Sequence, residues 1–219
     1  LGIHNIYNLI SAAAGALHQG LSLDQIAKGL CSVNRIPGRF ERVSCGKNFS
    51  IIVDYAHTDD ALRNVLQAAK SFTPGRVITV FGCGGDRDRG KRKTMGRVAI
   101  EESEFTIVTS DNPRTEDPQR IVDDILEGIP SSTCQGKDYE VVVDRKEAIQ
   151  FAVRKAQPGD LIMIAGKGHE DYQVLKTDGS GTISFAAIPA SGSNTQVQYN
   201  DGGSLAGDSD FTFDKSDNT

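Results

Sequence analysis

Five short apolar runs rich in β-branched residues recur along the middle of the chain, and an amphipathic stretch follows each of the first four. The runs lie at residues 50–54, 76–81, 105–110, 140–144 and 161–166, and the amphipathic stretches at 59–72, 90–102, 118–128 and 145–156. Continuous apolar runs predict strands buried on both faces, and the intervening helices predict parallel pairing through right-handed crossovers. The pattern therefore predicts an α/β fold with a doubly wound, mostly parallel sheet.

Both ends of the chain depart from this alternation. "HNIYNLISAAAGALHQG" predicts a helix that ends at Gly20, and "SLDQIAKGL" opens a second helix with a capping box between Ser22 and Gln25. A Pro-Gly break in "RIPGRF" then predicts a domain boundary, with residues 1–38 helical and residues 39–185 forming the α/β domain. Residues 186–219 are rich in Gly, Ser, Asn and Asp, which predicts a flexible or β-prone extension.

Composition narrows the function classes. A net charge of -5 and a pI near 5.4 argue against a nucleic-acid-binding protein, which needs clustered Lys and Arg. The four cysteines show no CxxC spacing, so we expect reduced thiols in a cytoplasmic protein and no zinc site. The apolar runs are too short to span a membrane. Because the chain starts at Leu1 and not at Met, we expect it to be the tail of a longer protein.

Every predicted strand ends in polar or glycine-rich sequence. The five exits read "DYAHTDDAL", "GCGGDRDRGKR", "DNPRTEDP", Asp144 with Arg145, and "GKGHEDYQ", whereas the opposite ends, such as "SFTPG" and "AQPGD", are ordinary turns. Ligands of open parallel sheets bind beyond the carboxyl ends of the strands. We therefore predict a binding site at this edge of the sheet.

The glycine-rich exits allow two interpretations. In "GCGGDRDRGKR" the glycines form either a tight turn or a loop whose backbone approaches an anionic ligand, with cations supplied by Arg87, Arg89, Lys91 and Arg92. "GKGHE" is either a solvated turn or a second close-approach loop through Gly166 and Gly168. The chain contains no G-x-x-x-x-G-K-[ST] phosphate loop.

Two further exits carry polar residues that helix capping does not explain. Thr58 and Asp117 suit N-caps, but this leaves Asp54, which could hold a ribose hydroxyl, and His57, which could contact a nucleotide. Arg114 could pair bidentately with a carboxylate, and the neighbouring Asp111 and Asn112 could bind an ammonium or the same carboxylate. Together, Arg114, Asp111 and Asn112 suit the zwitterionic end of an amino acid.

Taken in order, "HNIYN", "PGRFE", "VDYAHTDDAL", "VFGCGGDRDRGKR", "TSDNPRTEDP" and "IAGKGHEDYQ" resemble the Mur ligase family over residues 1 to about 185. Within it, "DNPR" is similar to members that add meso-diaminopimelate to UDP-MurNAc-L-Ala-D-Glu in cytoplasmic peptidoglycan synthesis. The resemblance implies an ATP- and Mg²⁺-dependent ligase. ATP phosphorylates a carboxylate, the amine attacks the acyl phosphate, and an amide forms with release of phosphate.

The resemblance also implies roles for individual residues. Arg114 and Asn112 would hold the distal carboxylate of diaminopimelate, Arg87 the other carboxylate, and Asp111, Gly166 and Glu170 the neighbouring ammonium. The residues implied for ATP are Asn5, Asn8, Arg39, Asp54 and His57. Because lysine lacks the distal carboxylate, a buried Arg114 would be left unpaired and would disfavour lysine.

The family's UDP-binding domain, ATP loop and Mg²⁺ ligands lie upstream of "HNIYN". We therefore expect residues 1–38 to be the helical end of a central ATP-binding domain and the chain alone to hold no catalytic residue and no activity. Asp59 replaces a usual Pro, and residues after "TISF" also depart from the family. The alternatives are a non-catalytic amino-acid or nucleotide-binding module and a sibling ligase such as folylpolyglutamate synthetase, which "DNPR" disfavours.

Overall fold

The computed structural model describes residues 3–33, 35–168, 174–177, 183–186, 196–201 and 204–212. These residues belong to two compact units. The first comprises Leu1–His169 and Thr177–Ile183, and the second comprises Glu170–Lys176 and Ser184–Thr219.

The first unit begins with the two predicted helices, α1 (Ile3–His18) and α2 (Leu23–Ser32). The capping box is confirmed, because the Gln25 amide donates to Ser22 Oγ at 3.3 Å and the Ser22 amide donates to Gln25 Oε1 at 2.9 Å. These reciprocal bonds satisfy two backbone donors that a helix start otherwise leaves without partners.

A six-stranded sheet follows, and it confirms the predicted α/β class. Its strands are β1 (Glu41–Val43), β2 (Ser50–Asp54), β3 (Val77–Phe81), β4 (Phe105–Val108), β5 (Tyr139–Val141) and β6 (Leu161–Ala165). The spatial order is β1-β2-β6-β3-β4-β5. All neighbours pair in parallel except β1, which runs antiparallel to β2 and was not predicted.

Four helices connect the parallel strands, close to the predicted positions. They are α3 (Asp59–Lys70), α4 (Gly90–Glu101), α5 (Pro118–Leu126) and α6 (Arg145–Lys155). Both central strands, β3 and β6, are buried at every residue, so helices cover the two faces of the sheet. Because β2, β3, β4 and β6 are parallel, the loops after them meet at one edge, here called the carboxyl edge. The opposite side is the amino edge.

The second unit holds most of two further strand pairs. One pair is β7 (Val174–Thr177) with β8 (Ile183–Ala186), and the other is β9 (Gln196–Asp201) with β10 (Ser204–Thr212), which run antiparallel. The rest of the predicted extension lies outside the described residues. No helix in the described part of the chain combines the length and apolar character needed to cross a bilayer.

Candidate functional site

Two loops pack tightly together at the carboxyl edge. They are the β3 loop (residues 82–89) and the β4 loop (residues 109–117). The Gly85 amide donates to the Asn112 carbonyl at 2.8 Å, and a Cβ on Gly85 would lie 1.9 Å from the Pro113 carbonyl oxygen. A Cβ on Gly82 would similarly lie 2.2 Å from the Thr109 carbonyl oxygen. At these two positions glycine therefore serves the approach of one loop to the other.

Arg114 and Arg87 lie beside the same glycine. A Cβ on Gly84 would lie 2.9 Å from Arg114 Nη1 and 3.8 Å from Arg87 Cγ. Arg114 Nη1 also donates to the Gly85 carbonyl at 2.8 Å. Two exposed arginine residues thus lie beside Gly84 at the carboxyl edge. The expectation of a buried Arg114 is wrong, because the β4 loop places this side chain on the surface.

Asp111 and Asn112 meet the loop after β6 (the β6 loop, residues 166–168). Lys167 is 7% exposed, and its Nζ donates to Asn112 Oδ1 at 2.7 Å and lies 3.8 Å from Asp111 Oδ1. Gly166 adopts a φ of +112°, and a Cβ there would lie 3.1 Å from Asp111 Oδ2. The structure therefore places Asp111, Asn112 and Gly166 close together, with Lys167 as an additional buried cation. Glu170 lies outside the described residues.

A second set of predicted residues surrounds the exit of β2. The Arg39 guanidinium lies 5.3 Å from the centre of the Tyr55 ring, and the Tyr55 and His57 rings meet edge-on at 4.7 Å. His57 Nδ1 lies 2.9 Å from the Tyr55 carbonyl oxygen, which accepts its proton in the corresponding tautomer. Lys91 Nζ donates to the His57 carbonyl at 2.8 Å. A row of two cations and two rings results, which suits contact with an anionic, aromatic ligand such as a nucleotide.

Asp54 has a structural task in the same region. It is 6% exposed, and its two carboxylate oxygens accept the amides of Phe40 at 2.7 Å and Ala56 at 2.8 Å. The Phe40 bond fixes a residue whose φ is +51°, a backbone conformation that non-glycine residues rarely adopt. Contact between Asp54 and a ribose stays a prediction.

Asn5 and Asn8 form a separate pair on α1. They lie one helical turn apart, and Asn8 Nδ2 donates to Asn5 Oδ1 at 3.5 Å. Asn5 is 8% exposed, whereas Asn8 is exposed. Their predicted contact with ATP likewise stays a prediction.

Arg92 does not supply a charge to a ligand, so that part of the sequence interpretation is wrong. Its side chain is fully buried, and its guanidinium forms a bidentate pair with Glu116 at 2.7 and 3.0 Å and a bond with Asp124 at 2.8 Å. Hydrogen bonds from Arg92 and the Asp86 amide lower the pKa of Glu116 to about 2. Hydrogen bonds to Glu116 and Asp124 in turn raise the pKa of Arg92.

The exit of β5 also has a structural explanation. Asp144 caps α6 by accepting the Glu147 amide at 2.8 Å. Arg145 is 5% exposed and donates from Nη2 to the Ala165 carbonyl at 2.8 Å, which joins the start of α6 to the end of β6. Among the described residues, no three His, Cys, Asp or Glu side chains are grouped to hold a metal ion.

Comparison with known proteins adds a family to this geometry. Residues 38–168 match the family described as "Mur ligase, glutamate ligase domain". A "UDP-N-acetylmuramoyl-L-alanyl-D-glutamate--2,6-diaminopimelate ligase" of Solibacter usitatus (strain Ellin6076) is 51% identical over 176 residues, which cover 80% of this chain and 35% of the relative. The chain thus spans about a third of the length of that curated relative.

Solved structures agree with this match. A structure of a UDP-N-acetylmuramoyl-L-alanyl-D-glutamate--2,6-diaminopimelate ligase is 42% identical with a TM-score of 0.59, covering 84% of this chain and 36% of the other. A bifunctional folylpolyglutamate synthase/dihydrofolate synthase from Yersinia pestis, complexed with AMPPNP and a Mn ion, is 22% identical with a TM-score of 0.53. The match covers 68% of this chain and 32% of the synthase chain. This likeness shows only that the two proteins share a fold.

Proposed function

The chain belongs to the Mur ligase family, and on that premise we propose that its carboxyl-edge site binds meso-diaminopimelate as the amine acceptor of an ATP-dependent amide ligase. One observation carries the proposal. Arg114 and Arg87 stand beside Gly84, while Asp111 and Asn112 lie on the same β4 loop, so two guanidinium groups and a carboxylate can face one zwitterionic molecule.

The charges of the acceptor suit this arrangement. Meso-diaminopimelate carries two carboxylates, which guanidinium groups bind bidentately, and two amines, one of which reacts. The second amine, as an ammonium, would approach Asp111 and the backbone at Gly166. Lysine lacks the second carboxylate and loses one guanidinium contact. Because Arg114 is exposed, we expect the resulting selectivity to fall below the ~1–3 kcal/mol typical of a buried unpaired group.

The row of Arg39, Tyr55, His57 and Lys91 is proposed as the wall that this chain contributes to the ATP site. It offers cations for phosphates and ring faces for the nucleotide. The solved folylpolyglutamate synthase/dihydrofolate synthase holds AMPPNP and a Mn ion. Among the described residues no three His, Cys, Asp or Glu side chains are grouped, so none of these residues is assigned to Mg²⁺.

The complete reaction requires more than this chain supplies. We propose that residues 1–38 close a central ATP-binding domain, that residues 39–185 are the acceptor-binding domain, and that other domains bind UDP-MurNAc-L-Ala-D-Glu in the cytoplasm. The amine of the acceptor attacks the acyl phosphate, the carbon–nitrogen bond forms, and inorganic phosphate and the amine proton leave. The task of this chain is to hold the acceptor so that one amine is free to attack.

Titration calorimetry on the 219-residue chain tests the acceptor site. We expect binding of meso-diaminopimelate, weaker binding of L-lysine, and loss of meso-diaminopimelate binding in Arg114→Ala. Arg97→Ala is the matched control, because Arg97 is an exposed arginine of α4 outside the two loops. Equal binding by wild type and Arg114→Ala would contradict the proposal.

A chimera distinguishes the ligase from the alternative of a non-catalytic binding module. Residues 1–185 would replace the matching segment of the full-length Solibacter usitatus relative, and amide formation would be measured with ATP and both substrates. We expect the chimera to form the amide and the isolated chain to release phosphate only at background. A folded chimera without activity would favour the module.

A further inference from the structure

Arg92 joins three segments of the carboxyl edge without reaching its surface. The residue lies on α4, and its fully buried guanidinium binds Glu116 of the β4 loop, Asp124 of α5 and, at 3.3 Å, the Gly84 carbonyl of the β3 loop. A buried ion pair is seldom more stabilising than apolar packing of the same volume. The geometry therefore points to a reason for this pair other than overall stability.

Glu116 and Asp86 tie the two loops to each other in both directions. Besides Arg92, Glu116 binds Arg89 at 2.9 Å and accepts the Asp86 amide at 2.7 Å. Asp86 in return accepts the Thr115 amide at 3.1 Å and the Thr115 hydroxyl at 2.7 Å. Each loop thus supplies a carboxylate that binds the backbone of the other, and Arg92 anchors one of these carboxylates.

The loops held in this way contain two unfavourable backbone conformations. Asp86 has a φ of +52° and Arg114 a φ of +51°, and both are non-glycine residues. Such conformations persist only where the surrounding structure enforces them. Asp86 is itself one of the two carboxylates that tie the loops together. Arg114 comes directly before Thr115 and two positions before Glu116, and it is also a proposed ligand-binding residue.

We propose that Arg92, acting through Glu116, is a positioning residue that holds Arg114 and Arg87 beside Gly84 in the geometry that binds the acceptor. The inference rests on the proposed function, because it takes the acceptor to be a dicarboxylic diamino acid such as meso-diaminopimelate. Arg92 touches no ligand, since it is fully buried. Its effect is on the conformation of the β3 and β4 loops.

The test compares Arg92→Lys with Arg76→Lys in the 219-residue chain. Lysine keeps the charge but cannot form the bidentate pair, and Arg76 binds the buried Asp160 at the amino edge, away from the loops. We expect Arg92→Lys to raise the Kd for meso-diaminopimelate about tenfold and to reduce the preference over L-lysine. Arg76→Lys should lower the Tm while leaving the Kd and the preference unchanged.

A second readout needs no ligand. Hydrogen exchange measured by NMR should speed up at the Asp86 and Thr115 amides in Arg92→Lys and stay at the wild-type rate in Arg76→Lys. Where wild type binds the acceptor, an unchanged Kd would overturn the inference, and so would unchanged exchange at both amides. If Arg92→Lys does not fold, Glu116→Gln serves instead, because that side chain is partly accessible and forms the same pair.

The two proposals fail in different ways. If wild type binds no meso-diaminopimelate, the proposed function fails, and faster exchange at the two amides in Arg92→Lys alone would still support the loop-positioning role. If wild type binds and Arg92→Lys binds equally well, the positioning role fails and the proposed function stands.

Discussion

Each edge of the sheet contains an arginine–carboxylate pair with one buried partner, and the two pairs have different roles. At the amino edge Asp160 is 4% exposed and accepts Arg76 Nη2 at 2.6 Å, the Arg76 amide at 2.9 Å and the Gln157 amide at 2.8 Å. At the carboxyl edge the arginine, Arg92, is the buried partner and the carboxylate ties together two loops. One pair closes a turn, and the other holds side chains that face solvent.

The two edges differ in which charged groups remain accessible to a ligand. At the amino edge the Asp160 carboxylate is fully engaged by its own neighbours, and Gly75 packs with its amide bonded to the Gly159 carbonyl at 3.0 Å. At the carboxyl edge the Arg92 guanidinium is buried and bonds to the Gly84 carbonyl, and the exposed residues Arg87 and Arg114 lie beside the same glycine. A polar cluster therefore indicates a ligand site only when some of its charges remain accessible.

Asp160→Ala should give the largest loss of stability. It removes a buried carboxylate and leaves two backbone amides and the Arg76 guanidinium without their acceptor, which we expect to cost about 3 kcal/mol. Urea unfolding would measure this loss. Calorimetry should show unchanged meso-diaminopimelate affinity, and weakened binding would contradict the division of tasks between the edges.

Gly85→Ala should reduce stability less than Asp160→Ala does, but it should abolish acceptor binding. A Cβ there would lie 1.9 Å from the Pro113 carbonyl oxygen, so the β4 loop has to shift, at a cost of about 1–3 kcal/mol. We expect meso-diaminopimelate binding to be lost in the same calorimetric titration. Gly75→Ala is the control, because its Cβ would lie 2.7 Å from Gly159 at the amino edge. Intact binding by Gly85→Ala would break the comparison.

Thr58→Ala should have a smaller effect and sharpen the comparison from the other side. Thr58 lies at the carboxyl edge, but its hydroxyl accepts the Ala61 amide at 3.3 Å as the N-cap of α3. We expect a loss of about 1 kcal/mol in unfolding free energy. Acceptor affinity should stay at the wild-type value, since the cap serves only the helix.

The smallest of these effects should be the contribution of Glu116 to the pH dependence of stability, because many carboxyl groups titrate in the same pH range. The pKa of Glu116 is about 2 in the folded chain, below the value of about 4.3 for an ordinary glutamate. The unfolded chain therefore binds more protons between these values, and stability falls as the pH decreases through that window. Urea unfolding at several pH values should show a shallower decline in Glu116→Gln. Equal slopes would contradict the contribution.

A second carboxylate allows the same measurement at the amino edge. Burial alone would raise the pKa of Asp160, but hydrogen bonds from Arg76 and from the amides of Gln157 and Arg76 outweigh it and lower the pKa. Stability from this group is thus also present above the ordinary carboxyl range and lost on acidification. Asp160→Asn should flatten the decline without altering acceptor affinity measured at neutral pH.

Much of the fold could be predicted because its signals are local. Thr58 and Asp117 mark the starts of α3 and α5, and the apolar runs of β3 and β6 are continuous because both strands are buried on both faces. β1 escaped prediction, since three residues paired to one neighbour leave almost no periodic pattern.

The site was partly predictable for a topological reason. Parallel strands bring their exits together, so polar exits predict a common edge. The burial of Arg92 could not be predicted, because its partners Glu116 and Asp124 lie 24 and 32 positions away and nothing local distinguishes it from Arg89. The exposure of Arg114 likewise depends on how the β4 loop packs on the β3 loop.

The position of β6 has a consequence for how the molecule comes into being. This strand is the last of the six along the chain, yet it lies between β2 and β3. During synthesis the two earlier strands have no direct neighbour in each other, and the sheet can close only after residues 161–165 emerge. We expect slow folding of such long-range pairing, and a nascent chain stopped before this strand would expose two unpaired apolar edges prone to self-association.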